Sequence, residues 1–186
     1  MSDQGAGGAF DPITEALRLL DLFASVGADA FDITHTNLHQ EKRGFRPAQS
    51  LAQARASMPY LVPSAARRQN NLIVRPRSKT VALIQLDDLP PDHLARIAPA
   101  AFLVLQTSAQ GIQAWVAVQD APKGFAARLK EGTGADKEAS GATRVAGLDA
   151  QAAVGRGDRE AVVLRGDLDP PGAQVLDGMV AAAVAE

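Results

Sequence analysis

The segment VALIQLDDL (residues 81–89) runs from a continuous apolar stretch into two adjacent carboxylates. The apolar stretch is too continuous for a strand with one solvated face, so we expect a strand that is covered on both faces. Asp87 and Asp88 at the end of such a strand cost free energy unless they meet cations or hydrogen-bond donors. Strand alternation would send the two side chains to opposite faces, whereas a break in the strand could bring both to one ion.

The same residues also fit ordinary turn chemistry. In that interpretation the strand runs into an Asp-Asp-Leu-Pro-Pro turn, and Asp88 caps a helix that begins near Pro90. The segment alone does not decide between an ion site and a turn.

The central region of the chain predicts strands joined by short turns and interrupted by two helices. The expected order is β(71–77), β(80–88), α(90–98), β(101–108), β(111–119) and α(122–131). Consecutive strands joined by short turns pair antiparallel, which gives an α+β fold with helices packed on one face of the sheet.

Upstream of this region, the sequence predicts two helices and a strand. Asp11 and Pro12 begin a helix that Gly27 ends, and residues 31–37 alternate like a strand. Residues 43–48 are interpreted as a connection. Ser50 with Gln53 predicts a capping box for a helix to about Tyr60, where Pro59 and Pro63 should end or kink it.

Composition restricts the class of protein. A chain of 186 residues suits one domain with a sizeable core, and with no cysteine it has no disulfide or thiolate metal site. No apolar segment is long enough to cross a bilayer, and the N-terminus lacks a signal-peptide pattern. We therefore expect a soluble, cytoplasmic protein with no membrane partner.

Charge is distributed unevenly along the chain. The formal net charge is −2, yet residues 41–80 hold nine basic residues and one acid, Glu41. Such a block predicts a phosphate-binding face, although any single arginine could simply solvate a helix surface. The candidates for contact with nucleic acid are Arg67, Arg68, Arg77 and Lys79.

The order of four motifs resembles the RepB-type plasmid replication primases of the archaeo-eukaryotic primase superfamily. The motifs are LDDL (86–89), TS (107–108), QAW (113–115) and GTGADKEASGATRVAG (132–147), and the resemblance runs from about residue 15 to residue 147. It implies an RNA-recognition-like core with helices packed on the sheet. It also implies that Asp87, Asp88 and Asp136 are catalytic and hold Mg²⁺ or Mn²⁺, while a 3′-hydroxyl attacks a nucleoside triphosphate.

The resemblance also assigns a nucleotide-binding surface. Thr107, Ser108 and Gln113 lie on the hairpin of that surface, where Ala109, Gly111 and Ile112 depart from the usual SPxNYQAW pattern. Two arginines could reach substrate phosphates, each with a structural alternative. Arg75 could pair with an acid on the adjacent strand, and Arg144 could pair with Asp136, although its planar guanidinium suits phosphate oxygens.

The two ends of the chain differ from the middle. Residues 1–10 are expected to be disordered, residues 11–147 to form the catalytic domain, and residues 148–186 to form an atypical tail. The tail has no aromatic, Ile, Lys, Asn, Ser, Thr or His. One hypothesis is a frameshifted or recombined end, which would leave residues 132–147 loosely held; the alternative is a divergent strand (161–165) and helix (173–184).

Three functions remain open on these grounds. The first is a primase that makes primers on single-stranded DNA from nucleoside triphosphates for plasmid or mobile-element replication, together with other plasmid replication proteins. The second is a catalytically impaired remnant of that fold that only binds nucleic acid. The third is an unrelated metal-dependent phosphohydrolase that uses the same carboxylates.

Overall fold

The computed structural model describes residues 11–106, 111–145 and 162–166. The helices in this part of the chain are α1 (Pro12–Ser25), α2 (Leu51–Arg67), α3 (Pro91–Ile97) and α4 (Phe125–Thr133). The strands are β1 (Ala30–Thr36), β2 (Lys42–Gln49), β3 (Asn71–Arg77), β4 (Val81–Leu86), β5 (Leu103–Gln106), β6 (Ile112–Gln119), β7 (Thr143–Arg144) and β8 (Val162–Gly166). Within these ranges, none of the helices has the length and apolar character that crossing a bilayer requires.

The strands form two antiparallel sheets of four strands each. The first sheet has the order β2-β1-β3-β7 and the second has the order β4-β6-β5-β8. The α+β class and the antiparallel pairing predicted from the sequence are therefore confirmed. The expectation that residues 71–77 pair with the following strand is wrong, because β3 pairs with β1 and β7 whereas β4 pairs with β6. A short connection fixes proximity in the chain, but not membership of one sheet.

Helix α1 joins the two sheets into one body. Phe23 of α1 makes edge-to-face contacts with Phe102 and Trp115, at centroid distances of 5.5 and 4.8 Å. Buried side chains of the first sheet belong to the same apolar core, among them Phe31 and Leu72. Such aromatic pairs contribute about 0.5–1.5 kcal/mol beyond the area they bury. The arrangement fixes how the second sheet, which carries the Asp-Asp segment, sits against α1.

The strand that carries the carboxylate pair is covered on both faces, as the apolar run predicts. Ile84 and Leu86 lie in a second core with residues of α3 and α4, whereas Leu83 packs against the core around α1. Helices therefore lie on both faces of this sheet, and the expectation of helices on one face only is wrong for it.

Helices α1 and α2 begin at the capping residues that the sequence predicts. The Asp11 side chain accepts hydrogen bonds from the backbone N–H groups of Ile13 and Thr14, and Ser50 forms a capping box with Gln53. Each cap satisfies backbone donors that the first helical turn leaves without partners.

Two elements differ from the sequence-based expectation. Residues 43–48 belong to strand β2, an edge strand without a buried side chain, so no apolar alternation could reveal it. Helix α2 continues through Pro59 and Pro63 to Arg67. Its buried face (Ala54, Met58, Leu61, Val62 and Ala65) outweighs the roughly 3 kcal/mol that an interior proline costs.

The tail supplies one described element. Strand β8 pairs antiparallel with β5 at the edge of the second sheet, which agrees with the predicted strand at 161–165. The predicted helix at 173–184 and the predicted disorder of residues 1–10 lie outside the described residues. The frameshift hypothesis for the gene stays a prediction.

Candidate active site

Asp87 lies one residue beyond strand β4, at the point where the chain turns. Asp87 is half-buried, whereas Asp88 is exposed and has a left-handed backbone with a φ of 51°. This conformation is uncommon for a residue with a side chain, although Asp tolerates it better than most. The N-cap of α3 is Pro90, with no side-chain hydrogen bond. Asp88 therefore does not cap the next helix, and that part of the turn interpretation is wrong.

One oxygen of Asp87 is oriented by a buried glutamine whose amide has a fixed direction. Trp115 Nε1–H donates to Gln113 Oε1 at 2.8 Å, and Gln113 Nε2 donates to Asp87 Oδ1 at 3.2 Å. Because an indole N–H can only donate, the Gln113 oxygen must face Trp115 and its NH₂ group must face Asp87. Trp115 is fully buried, so it is a core residue that also orients Gln113.

The other oxygen of Asp87 faces a second glutamine that the sequence analysis does not identify. Gln85 is buried, and its Oε1 accepts the backbone N–H groups of Gly141 and Ala142 at 2.6 and 3.1 Å. Its Nε2 donates to the carbonyl oxygen of Ala142 at 2.8 Å and to Asp87 Oδ2 at 3.4 Å. Backbone N–H groups only donate, so this amide is also fixed in direction.

Gln85 is a polar residue inside an apolar run, and this position in the sequence could have marked it as unusual. A buried glutamine needs partners on both its oxygen and its nitrogen, and these partners come from a segment far along the chain. The sequence shows the unusual residue but not the distant backbone that meets it.

Asp136 is brought to Asp87 through the main chain. Its backbone N–H donates to the carbonyl oxygen of Asp87 at 2.9 Å. Its exposed carboxylate accepts the backbone N–H of Glu138 at 2.9 Å, which holds a local turn. Lys130 of α4 donates to the carbonyl oxygen of Ala139, 3.0 Å away, in that same turn. Each of these hydrogen bonds involves a residue within 132–145, and the expectation that residues 132–147 are loosely held stays a prediction.

The other two predicted carboxylates act electrostatically on Asp87. Burial raises the pKa of Asp87 above its usual value, and the charges of Asp88 and Asp136 raise the pKa further. The hydrogen bonds from Gln113 and from the Asp88 backbone N–H act in the opposite direction without cancelling the rise. The site therefore concentrates negative charge where burial already disfavours it, and a bound cation would relieve both effects.

The donor chemistry fits a hard divalent cation. Carboxylate oxygens are the ligands that Mg²⁺ and Mn²⁺ prefer, and Asp87, Asp88 and Asp136 supply them at one end of the second sheet. Across the described ranges, no three His, Cys, Asp or Glu side chains already form a group that could hold a metal ion. The carboxylates are therefore neighbours, but their side chains are not closed around a common point.

The predicted phosphate-binding arginines lie on the first sheet. Arg144 is exposed on β7 opposite Ile73, and β7 continues the segment that begins at Asp136. Arg144 also lines a cleft between α1 and β5, together with Glu15, Arg18, Leu19, Leu22, Leu103 and Leu105. Arg75 stands opposite Asp32 in the β1–β3 register, and its charge lowers the pKa of Asp32. The ion pair with Asp32 is made by Arg77, so contact between Arg75 and a substrate phosphate stays a prediction.

The predicted nucleic-acid contacts fall into two groups. Arg67 ends α2 and Arg68 is its C-cap, whereas Arg77 ends β3 and Lys79 follows it. Strand β3 has seven residues, so the two groups are about 20 Å apart. Arg77 donates twice to Asp32 Oδ2, at 2.9 and 2.7 Å. Thr107 and Ser108, the remaining nucleotide-binding candidates, lie outside the described residues.

Two antiparallel sheets packed against helices, with the aspartates at one end of the second sheet, form the fold of a primase catalytic domain. The resemblance found in the sequence is confirmed at the level of the fold. No protein-family model matches the chain, and no curated protein matches it in sequence.

Two solved structures of the primase RepB′ share this fold. The chain is similar to the catalytic domain of primase RepB′ in complex with initiator DNA, with a TM-score of 0.70 and 23% identity over 94% of this chain and 95% of that one. It is also similar to primase RepB′, with a TM-score of 0.68 and 21% identity over 94% of this chain and 62% of that one.

Proposed function

We propose that this chain is a primase-type nucleotidyltransferase that makes primers on single-stranded DNA for replication of a plasmid or another mobile element. The observation that carries the proposal is the main-chain hydrogen bond from Asp136 to Asp87, which brings the third carboxylate of the motif order to the first two. The shared fold supports the same class of function.

Some of the assigned residues would hold the metal ion, and the others would position the metal ligands or contact the substrate. Asp87, Asp88 and Asp136 would hold Mg²⁺ or Mn²⁺, which when bound stabilises the charge on the attacking and leaving oxygens. The amides of Gln85 and Gln113 orient Asp87, so its carboxylate needs little rearrangement before reaction. Thr107, Ser108, Arg75 and Arg144 are the proposed contacts to the nucleoside triphosphate. Gln113 is buried and its amide bonds Trp115 and Asp87, so its proposed role in the nucleotide site is to position Asp87.

The proposed template is single-stranded DNA. Primase RepB′ has been solved with initiator DNA, and the basic block of this chain offers the matching charge. Arg67, Arg68, Arg77 and Lys79 are the proposed contacts to the strand. Other plasmid replication proteins are the proposed partners in the assembly that uses the primer.

A specific observation favours a second candidate, a strand-binding remnant with impaired catalysis. The described carboxylates do not form a closed group of three metal ligands. If binding a cation cannot draw Asp88 and Asp136 toward Asp87, the protein would keep its basic surface and lose nucleotide transfer. An unrelated phosphohydrolase is disfavoured by the match to a primase fold over 94% of the chain.

Primer synthesis on a single-stranded template separates these candidates. The full chain is incubated with a DNA oligonucleotide and labelled nucleoside triphosphates, with Mg²⁺, with Mn²⁺ or with neither, and the products are resolved on a denaturing gel. We expect template-dependent, metal-dependent oligomers. Strand binding without any oligomer in either metal would identify the remnant, and release of phosphate without oligomers would identify a hydrolase.

A further inference from the structure

One face of the first sheet carries an exposed aromatic side chain among basic residues. In the pairing register, Thr34 is opposite Phe45 on β2 and opposite Ile73 on β3, so these three side chains form a row on one face. Phe31, Ile33, Leu72 and Val74 point to the other face and belong to the core with α1 and α2. Helices α3 and α4 pack on the second sheet. We call the face that carries Thr34, Phe45 and Ile73 the open face.

Phe45 is not explained by protection of the sheet edge. Strand β2 is the edge strand, and its charged residues and Pro47 are what proteins use to prevent pairing with another strand. A large apolar side chain has the opposite effect at an edge. Phe45 nevertheless remains 48% exposed. Lys42 Nζ lies 3.6 Å from the ring centroid, so the ring already has a cation as its neighbour.

The strands around Phe45 carry an excess of positive charge. Strands β1, β2 and β3 hold one acid, Asp32, and five basic residues, Lys42, Arg43, Arg46, Arg75 and Arg77. Of these, Arg46 is opposite Ile33 and therefore lies on the other face. Glu41, next to β2, pairs with Arg43 at 2.6 Å, and Asp32 pairs with Arg77. These acids are too few to neutralise the surface. An exposed ring beside cations suits a partner with flat apolar groups on a polyanionic backbone.

We propose that single-stranded DNA crosses the open face, with one base stacked on Phe45 and a phosphate near Lys42. This inference rests on the proposed function and adds the path of the strand. The path lies between the two basic groups at the ends of β3, so it connects Arg67 and Arg68 with Arg77 and Lys79. The sequence pattern does not single out Phe45, because one aromatic residue in a polar segment carries no periodic signal.

Binding of a labelled oligothymidine to the full chain tests the path. Base stacking contributes about 1–3 kcal/mol per base, so Phe45→Ala should weaken binding about five- to hundredfold with little change in the salt dependence. Phe45→Trp should retain the affinity. The matched control is Tyr60→Ala, which removes the other exposed aromatic side chain of the described residues, 77% exposed on α2, and should leave the affinity unchanged.

A charge variant completes the test. Lys42→Gln should lower the slope of log affinity against log salt by about 0.7, the value for one lost phosphate contact. If wild-type protein binds the strand and Phe45→Ala binds equally well, the path is overturned while the proposed function stands. If wild-type protein binds no strand, both fail.

Other occupants of the open face give different results. A fall in melting temperature of Phe45→Ala with unchanged strand affinity would show that the chain itself covers the ring. A dimer in sedimentation that Phe45→Ala dissociates, again with unchanged affinity, would assign the face to a second copy. Either result overturns the proposal.

Discussion

The backbone N–H of Asp136 donates to the carbonyl oxygen of Asp87 at 2.9 Å, which ties together two residues from distant parts of the chain. Because the bond uses main-chain atoms only, either side chain can be replaced without breaking it. Substitutions of these aspartate side chains therefore test their role in catalysis while the main-chain hydrogen bond stays in place.

Replacing Asp87 or Asp88 with Asn should reduce metal-dependent nucleotide transfer by at least about a hundredfold, because each change removes a charged metal ligand. The folded state should keep its melting temperature without metal, since Asp87 is already disfavoured as an anion by burial and by its acidic neighbours.

Asp120→Asn is the matched control for this prediction. Asp120 is exposed and has a φ of 50°, close to the 51° of Asp88, but lies at the end of β6. Primer synthesis and thermal unfolding are measured for all three variants. Near-normal activity of the Asp87 or Asp88 variant in Mg²⁺ would contradict the catalytic assignment.

Gln85→Leu should release the segment that follows Asp136. The change leaves the backbone N–H groups of Gly141 and Ala142 without their acceptor, which costs about 1–3 kcal/mol. Hydrogen exchange at these two amides should accelerate, and primer synthesis should fall about tenfold or more because the third carboxylate is less well positioned.

Gln119→Leu provides the comparison for Gln85, because Gln119 is an exposed residue at the end of β6 in the same sheet. Its exchange and activity should match those of the wild type. Slow exchange of Gly141 and Ala142 in Gln85→Leu would mean that other contacts hold the segment.

Trp115→Phe should weaken the orientation of Gln113. The change keeps most of the buried ring but removes the indole N–H that fixes the direction of the Gln113 amide. We expect a fall in melting temperature of a few degrees and a larger fall in kcat than in substrate affinity, since Asp87 loses an oriented donor. Equal falls in unfolding stability and substrate affinity, with kcat preserved, would indicate a purely structural role.

Asp32 should contribute stability that depends on pH. Burial raises the pKa of Asp32, but the hydrogen bond from the Ala48 N–H and the charges of Arg77 and Arg75 outweigh burial and hold the pKa below its usual value. A lowered folded-state pKa stabilises the protein above the unfolded-state pKa of about 4, and this stability is lost as the pH falls through the folded value.

Asp32→Asn should therefore lower the free energy of unfolding by about 1–2 kcal/mol between pH 5 and 7, and the difference should shrink below about pH 4. Asp21→Asn serves as the control, because Asp21 pairs with Arg55 while 47% exposed and should change stability much less. Chemical denaturation across this pH range measures both. A constant difference at all pH values would exclude the ionic explanation.

The two basic groups should differ in strand binding. Burial lowers the pKa of His35, and the Arg46 and Arg68 charges lower it further, which indicates that positive charge accumulates at the α2 end of β3. Neutralising Arg67 and Arg68 should lower the salt slope by about 0.7 per lost contact. Neutralising Arg77 should change the slope less, because its guanidinium is bound to Asp32. Equal slopes for both changes would contradict this distinction.

The sequence by itself determined the elements whose residues carry a local pattern. The buried β4 strand, the caps at Asp11 and Ser50, and the alternation through Trp115 each depend on neighbours within a few positions. The order of the motifs then determined the fold class and singled out three aspartates, whose role stays a prediction. The predictions of individual elements succeed because hydrophobic periodicity and helix capping are carried by nearby residues.

The tertiary structure alone decided how distant segments meet. It separates β3 and β4 into different sheets, makes a strand of residues 42–49, and joins Gln85 to Gly141 and Ala142. Pairing of an exposed edge strand, and hydrogen bonds from a side chain to a remote backbone, depend on packing that no short window of sequence contains. The same packing leaves Phe45 exposed among basic residues while it buries Trp115.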